Sequence, residues 1–185
     1  MIIIKSSKIW TLSILAIISL AWCELVDPAL SDTPLDATVV DMDRRLVREA
    51  WLEIDAIFAQ HGETHFRKLE TDLLHRLSVH SESMVIATGG GAACSPGNME
   101  TMKDSGTVIF LDASVGLLVD RILADNESGK ATRPLAKWKR EEIEQSLTTR
   151  LGQRQKIYEQ AHHRIFVDWK DLRTIVGEIL LAVRK

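Results

Sequence analysis

Glycine is missing from residues 1–61 of this 185-residue chain, and its absence excludes a phosphate-cradling loop of the form G-x-x-x-x-G-K-[ST] from that whole stretch. Lys5-Ser6-Ser7 supplies a Lys-Ser pair, but without the glycines. Only Cys23 and Cys94 are present, too few for a disulfide framework and without metal-ligand spacing, which fits a reducing cytoplasm. Basic residues are slightly outnumbered, 23 Lys and Arg against 26 Asp and Glu, for a formal net charge of -3. That balance excludes the broad positive field with which nucleic-acid binders neutralise phosphates, so no nucleic-acid partner is expected. Internal repeats and low-complexity tracts are absent as well. The G-x-G-x-x-G spacing of dinucleotide-binding folds does not occur either.

What is present reads as one globular domain, with 45% apolar and 26% charged residues. The composition shifts once, after the first forty or so residues. Ile9 to Trp22 is uncharged, follows Lys5 and Lys8 and precedes Cys23, the outline of a signal-peptide core that is too short for a membrane span. Leu20-Ala21-Trp22-Cys23 has the outline of a lipoprotein cleavage site, except that bulky Trp22 stands where a small residue is needed. A cytoplasmic location is expected, with export or membrane anchoring through residues 9–22 as the alternative.

Val26 to Leu35, with Pro28 and Pro34, suits a loop. Ala37-Thr38-Val39-Val40 is a short β-branched run that ends in Asp41-Met42-Asp43. Apolar positions from Leu46 to Phe58 recur at helical steps, and a second helix is expected from about Glu63 through Leu77. Met84 to Thr88, Thr107 to Leu111 and Arg164 to Asp168 read as strands. Val115 to Leu123, Glu141 to Tyr158 and Leu172 to Val183 read as helices. Strands alternating with helices imply a parallel sheet covered on both faces, with ligands bound beyond the carboxyl ends of its strands. That places Asp41, Asp43 and Gly89-Gly90-Gly91 on one rim.

The two aspartates can orient a hydroxyl and hold metal-bound water, although a polar strand end or a helix cap is the plainer reading of the pair alone. Three glycines after a buried strand expose amide N–H groups to a ligand, and they are also common in turns. Arg67, Arg133 and Arg154 are each read alone as solvated. Together they are suited to clamping a carboxylate or a transferring phosphoryl group. His162-His163 reads as structural or exposed, and Trp51 and Trp138 as packing residues.

In order along the chain, Asp41-Met42-Asp43, Gly62-Glu63-Thr64-His65-Phe66-Arg67-Lys68-Leu69-Glu70, Thr88-Gly89-Gly90-Gly91, Arg133-Pro134-Leu135 and Arg154-Gln155-Lys156-Ile157-Tyr158 resemble the shikimate kinase family. The resemblance implies a three-layer αβα fold of the P-loop kinase kind, with a central parallel sheet and a lid segment. It divides the chain into an atypical apolar segment, residues 1–36, and a shikimate kinase-like domain, residues 37–185, with the lid at about 124–138. The implied activity is ATP-dependent phosphorylation of the 3-hydroxyl of shikimate, a step of chorismate and aromatic amino acid biosynthesis, by a monomer. By the family pattern Asp43 holds the acceptor hydroxyls, Arg67 and Arg154 the carboxylate, and Gly89, Gly90 and Gly91 the substrate through backbone. Asp41 supports the Mg2+ shell, and Arg133 reaches the ATP phosphates from the lid, whose closure excludes water.

The same family pattern begins with a strand that leads into the glycine-rich loop. Ile14 to Ile18 is an apolar run that could stand in for that strand, but it leads into Ser19-Leu20-Ala21-Trp22, which cannot form the same nest. Three explanations stay open: a frameshift or misassigned start upstream of Ala37, a non-catalytic shikimate-binding or partner-binding relative, and an exported relative. The abrupt start of the match at Ala37 favours the first.

Overall fold

The structure, a computed structural model, describes residues 1–5, 38–127 and 139–183. Five strands, β1 (Ile2–Lys5), β2 (Thr38–Asp41), β3 (Met84–Ala87), β4 (Thr107–Asp112) and β5 (His163–Phe166), form one sheet in the order β2-β3-β1-β4-β5. The helices are α1 (Met42–Ala50), α2 (Ile54–Val79), α3 (Asn98–Ser105), α4 (Val115–Glu127), α5 (Arg140–Tyr158) and α6 (Leu172–Val183). Alternating strand residues feed opposite cores. Ile3, Ile86 and Val108 pack with Met42, Phe66, Leu73 and Met102 on one face. Ile2, Ile4, Val85 and Ile109 pack with Ile175, Ile179 and Leu117 on the other. Helices therefore cover both faces, the three-layer arrangement that strand–helix alternation implies.

The sheet is mixed. β2 runs parallel to β3 and β4 parallel to β5, but β1 is antiparallel to both of its neighbours. Ile2 lies opposite Ala87 and Ile109, and Lys5 lies opposite Met84. A run of three isoleucines buries both faces whichever way it points, so the groups at its ends set the direction. At one end Lys5 Nζ donates to the carbonyls of Leu77 (2.9 Å), Ser78 (2.7 Å) and His80 (2.7 Å), where α2 ends. A cation there complements the helix C-terminus. At the other end the Met1 carbonyl accepts from Thr88 N (3.0 Å) and Thr88 Oγ1 (3.2 Å). Ile14 to Ile18 lies outside the described residues.

The helical stretch expected from Leu46 to Phe58 is two helices. Trp51 takes a left-handed conformation (φ 55°), which ends α1, and α2 starts at Ile54. No glycine is available there, and an aromatic residue at positive φ costs about 1–3 kcal/mol. The turn also leaves Trp51 91% exposed, so it is a surface residue and not the packing residue its helical spacing implies. Trp138 lies outside the described residues. The expected break between helices near residue 62 is a kink, with Gly62 at φ 77° and ψ 172° inside α2.

His162 is exposed and also structural: its Nδ1 accepts a 3.0 Å hydrogen bond from Val108 N at the start of β4. Nδ1 must stay unprotonated to accept. Burial, followed by the nearby charges of Lys103 and His163, holds the imidazole below its ordinary value. The folded protein thus binds this proton less readily than the unfolded chain does. The stabilisation is complete above pH about 6.5 and is lost as the pH falls through the lower folded value. Urea midpoints measured from pH 7 to 5 should fall more steeply for wild type than for His162→Asn, whose amide oxygen accepts at every pH. Parallel curves would remove His162 as the cause.

Candidate functional site

The carboxyl ends of β2 and β3 set the site. Asp41 ends β2 and caps α1, its carboxylate accepting from Arg44 N at 3.1 Å, so that Asp43 falls in the first helical turn at the rim. Arg67 and Glu70 lie one turn apart on α2, facing the loop after β3. Contacts at the glycines show how closely these groups converge. A Cβ on Gly89 would lie 3.2 Å from Glu70 Oε1 and 3.3 Å from Asp43 Oδ1, and one on Gly91 would lie 2.2 Å from Arg67 Nη1. Only glycine lets the guanidinium rest on the loop.

Arg67 Nη1 bonds Glu70 at 2.5 Å, while Nη2 and Nε reach exposed Glu63 at 2.9 and 3.2 Å. Glu70 is buried (2% exposed), and burial, reinforced by Asp43, pushes its carboxyl above the usual carboxylate range against the pull of Arg67 and Arg154. For Arg67, burial works against the charge, but the bonds and charges of Glu70 and Glu63 outweigh it and raise its pKa. A buried carboxylate thus fixes one edge of the guanidinium. The other edge is held only by a surface pair, which is weak and exchangeable.

The loop itself is pinned. Ala92 N donates to Gly89 O (3.2 Å) and Cys94 N to Gly91 O (3.0 Å). Tyr158 at the end of α5 donates its hydroxyl to Gly90 O at 2.5 Å. Buried Asn98 donates Nδ2 to Ala92 O (2.8 Å) and to Thr71 Oγ1 on α2 (3.1 Å), which ties the loop to the helix of Arg67. Arg154, one turn before Tyr158, acts electrostatically on Tyr158, Glu70 and Cys94.

Of the residues singled out in the sequence, Asp43, Arg67, Gly89, Gly90, Gly91 and Arg154 converge. Asp41 stands beside them as a cap, and Arg133 lies outside the described residues. Glu70, Tyr158 and Asn98 carried no assigned role in the sequence. The first two stand in the quoted G-E-x-x-F-R-x-x-E and R-x-x-x-Y patterns, and their spacing from Arg67 and Arg154 by one helical turn was the available signal. Asn98 follows a Pro-Gly turn at a helix start, which says nothing of its contacts.

The family profile for shikimate kinase matches residues 30–184. The chain belongs to the shikimate kinase family. It is 38% identical over 145 residues to the shikimate kinase of Persephonella marina, a match spanning 78% of this chain and 82% of that one. It is 34% identical over 151 residues to that of Sulfurihydrogenibium sp., spanning 82% and 85%. The fold resembles the crystal structure of shikimate kinase from Bacteroides thetaiotaomicron, with a TM-score of 0.73 at 27% identity over 80% of this chain and 85% of that one. It also resembles the Acinetobacter baumannii enzyme in complex with shikimate, with a TM-score of 0.70 at 32% identity over 80% and 79%. Shikimate kinase family membership implies ATP as a substrate. Magnesium is a separate matter: no group of three or more His, Cys, Asp or Glu able to hold a metal occurs among the described residues, and the Asp41 carboxylate already serves Arg44 N, with Arg44 Nε at 3.9 Å. These residues do not by themselves fit a magnesium ion.

Gly91→Ala should fold with the Arg67 guanidinium displaced, since the clash falls on the far end of a flexible side chain. Separating it from Glu70 leaves a buried carboxylate without its cation, a loss of about 1–3 kcal/mol. Urea unfolding should show that loss, and Glu70→Gln in the Gly91→Ala background should recover most of it. A wild-type midpoint for Gly91→Ala would mean that Glu70 does not depend on Arg67.

Proposed function

We propose that this protein binds shikimate at the Asp43–Arg67–Gly90–Arg154 site and that it phosphorylates the 3-hydroxyl from ATP poorly. The observation that carries the reading is the contrast between the two halves of the rim. On the acceptor side, two cations, an aspartate and a glycine loop converge. Arg67 and Arg154 suit the carboxylate of shikimate, which displaces the exposed share of Arg67 held by Glu63. Asp43 suits a ring hydroxyl, as an acceptor of its hydrogen bond and of its proton during transfer. Gly89, Gly90 and Gly91 offer backbone with no side chain in the way.

On the donor side, residues 1–61 hold no glycine with which to build the glycine-rich loop that follows the central strand in the family pattern. β1 points the other way, so the chain leaves it at the rim opposite Gly89–Gly91, where Lys5 is engaged by three carbonyls. Residue 38 begins β2 at that same far rim, since Thr38 and Lys5 both pair with Met84. Phosphoryl transfer depends on positioned amides, a lysine and a metal-binding hydroxyl, and the loss of one such donor costs roughly 10²–10³ in rate. A shikimate-binding protein without catalysis is the limit of the same reading, and the reversed strand favours it. Magnesium would enter with ATP, and Arg133 would reach the phosphates from the lid. The two cysteines suit a reducing cytoplasm, and no described helix is long and apolar enough to cross a membrane. Residues 9–22 lie outside that description.

Calorimetry should show shikimate binding, weakened roughly 30-fold by Arg67→Ala, the equivalent of about 2 kcal/mol. Arg133→Ala should leave it within about twofold. A coupled assay with shikimate, ATP and magnesium should give turnover far below the 1–100 per second typical of kinases. Replacing residues 1–36 with a strand, glycine-rich loop and helix of the family type should raise it strongly. No shikimate binding by the folded protein, or ordinary turnover by the unmodified chain, would overturn the reading.

A further inference from the structure

The glycine loop is held at three consecutive peptide planes, and one of the three depends on a side chain. No peptide in the described residues is cis, so each N–H points away from the carbonyl that shares its plane. The Gly89 carbonyl is turned to Ala92 N, which sends the N–H of Gly90 the other way. The Gly91 carbonyl is turned to Cys94 N. Between them, the Gly90 carbonyl is turned to Tyr158 Oη at 2.5 Å, with Cys94 Sγ 3.9 Å from the same oxygen. Glycine resists peptide rotation less than any other residue, and a Gly-Gly plane resists least. Tyr158 is therefore what orients the N–H of Gly91, the residue on which the Arg67 guanidinium rests.

Arg154, one helical turn before Tyr158, lies near enough for its charge to act on the same hydroxyl. A phenol has one proton to give and lone pairs to receive with. Its proton goes to Gly90 O, and the positive charge of Arg154 acts on the phenol from one helical turn away. The ring is buried at 6% exposure and packs against Phe110 with centroids 4.9 Å apart, so the hydroxyl cannot drift. Burial also pushes the phenol above its ordinary value, which keeps the proton available for donation near neutrality.

We propose that Tyr158 is a positioning residue of the acceptor site: its hydroxyl sets the Gly90–Gly91 peptide plane, so that a backbone donor faces the same carboxylate-bearing ligand as the Arg154 cation. The inference rests on the shikimate reading above for the identity of the ligand, but the orientation of the loop can be tested without any ligand.

Tyr158→Phe removes one oxygen and keeps the ring on Phe110. Amide exchange followed by NMR in ligand-free protein should be faster at Gly90 and Gly91 in the variant and unchanged in the β-strands. The shikimate Kd should rise about tenfold, the equivalent of one hydrogen bond, while the thermal midpoint stays close to wild type. Ile179→Ala, a buried core truncation on the opposite face of the sheet, should do the reverse, lowering the midpoint and leaving Kd and loop exchange unchanged. Unchanged exchange at Gly90 and Gly91 in Tyr158→Phe would overturn the inference whatever the affinity. If wild-type protein fails to bind shikimate, the functional reading falls and the exchange comparison still decides the role of Tyr158.

Discussion

Between β3 and β4 lies a gap one strand wide, and both strands present backbone N–H and C=O groups to it from the middle of the molecule. Buried backbone groups without partners cost as much as lost hydrogen bonds, so a sheet of this kind cannot close over an empty centre. Ile2–Lys5 fills the gap. Its isoleucines are all but completely buried and join the cores on both faces of the sheet. Each is worth about 1.5–3 kcal/mol in burial alone. Hydrogen bonding and burial are satisfied by either strand direction, and the observed one brings Lys5 to the end of α2 and Met1 to Thr88. The fold therefore keeps its strand order while its central connection departs from the far rim.

That separation explains how the candidate site stays ordered although the central strand runs antiparallel to both of its neighbours. The site is assembled from α1, α2, the loop after β3 and the end of α5, and Met1, just before β1, reaches its edge through its carbonyl on Thr88. The Met1 amino group lies close enough to Asp43 to feel its charge, although burial dominates and pushes the amine down to about 6. Around the loop, Glu70 steadies Arg67, Asn98 ties Ala92 to Thr71, and Tyr158 holds Gly90. Each of these contacts comes from a different element, so the glycine loop records the packing of the whole rim and not a local turn preference.

Much of this arrangement was legible in the sequence because it follows period and spacing. The β-branched run before Asp41, the apolar run before the three glycines and the long period from Glu141 to Tyr158 all fall where the elements lie, within a residue or two. Asp43, Arg67, Gly90 and Arg154 could be named from short patterns. Other features could not be read this way. Four residues of Ile-Ile-Ile-Lys are too short for a periodic signal, and hydrophobic alternation is the same in both directions, so neither the strand nor its reversal was visible. α3, with Met99 and Met102 buried over only eight residues, offered too little period to count. Trp51 kept helical spacing with its neighbours while the chain turned at that residue, a choice made by tertiary structure over propensity.

The direction of β1 is the claim on which the rest stands, and interstrand nuclear Overhauser contacts in the full chain read it directly. The account predicts contacts that pair Ile2 with Ala87 and Lys5 with Met84, including the short Hα–Hα contacts of an antiparallel ladder. Contacts that pair Ile2 with Met84 and Lys5 with Ala87 would show a parallel central strand emerging beside the glycine loop, and would contradict it.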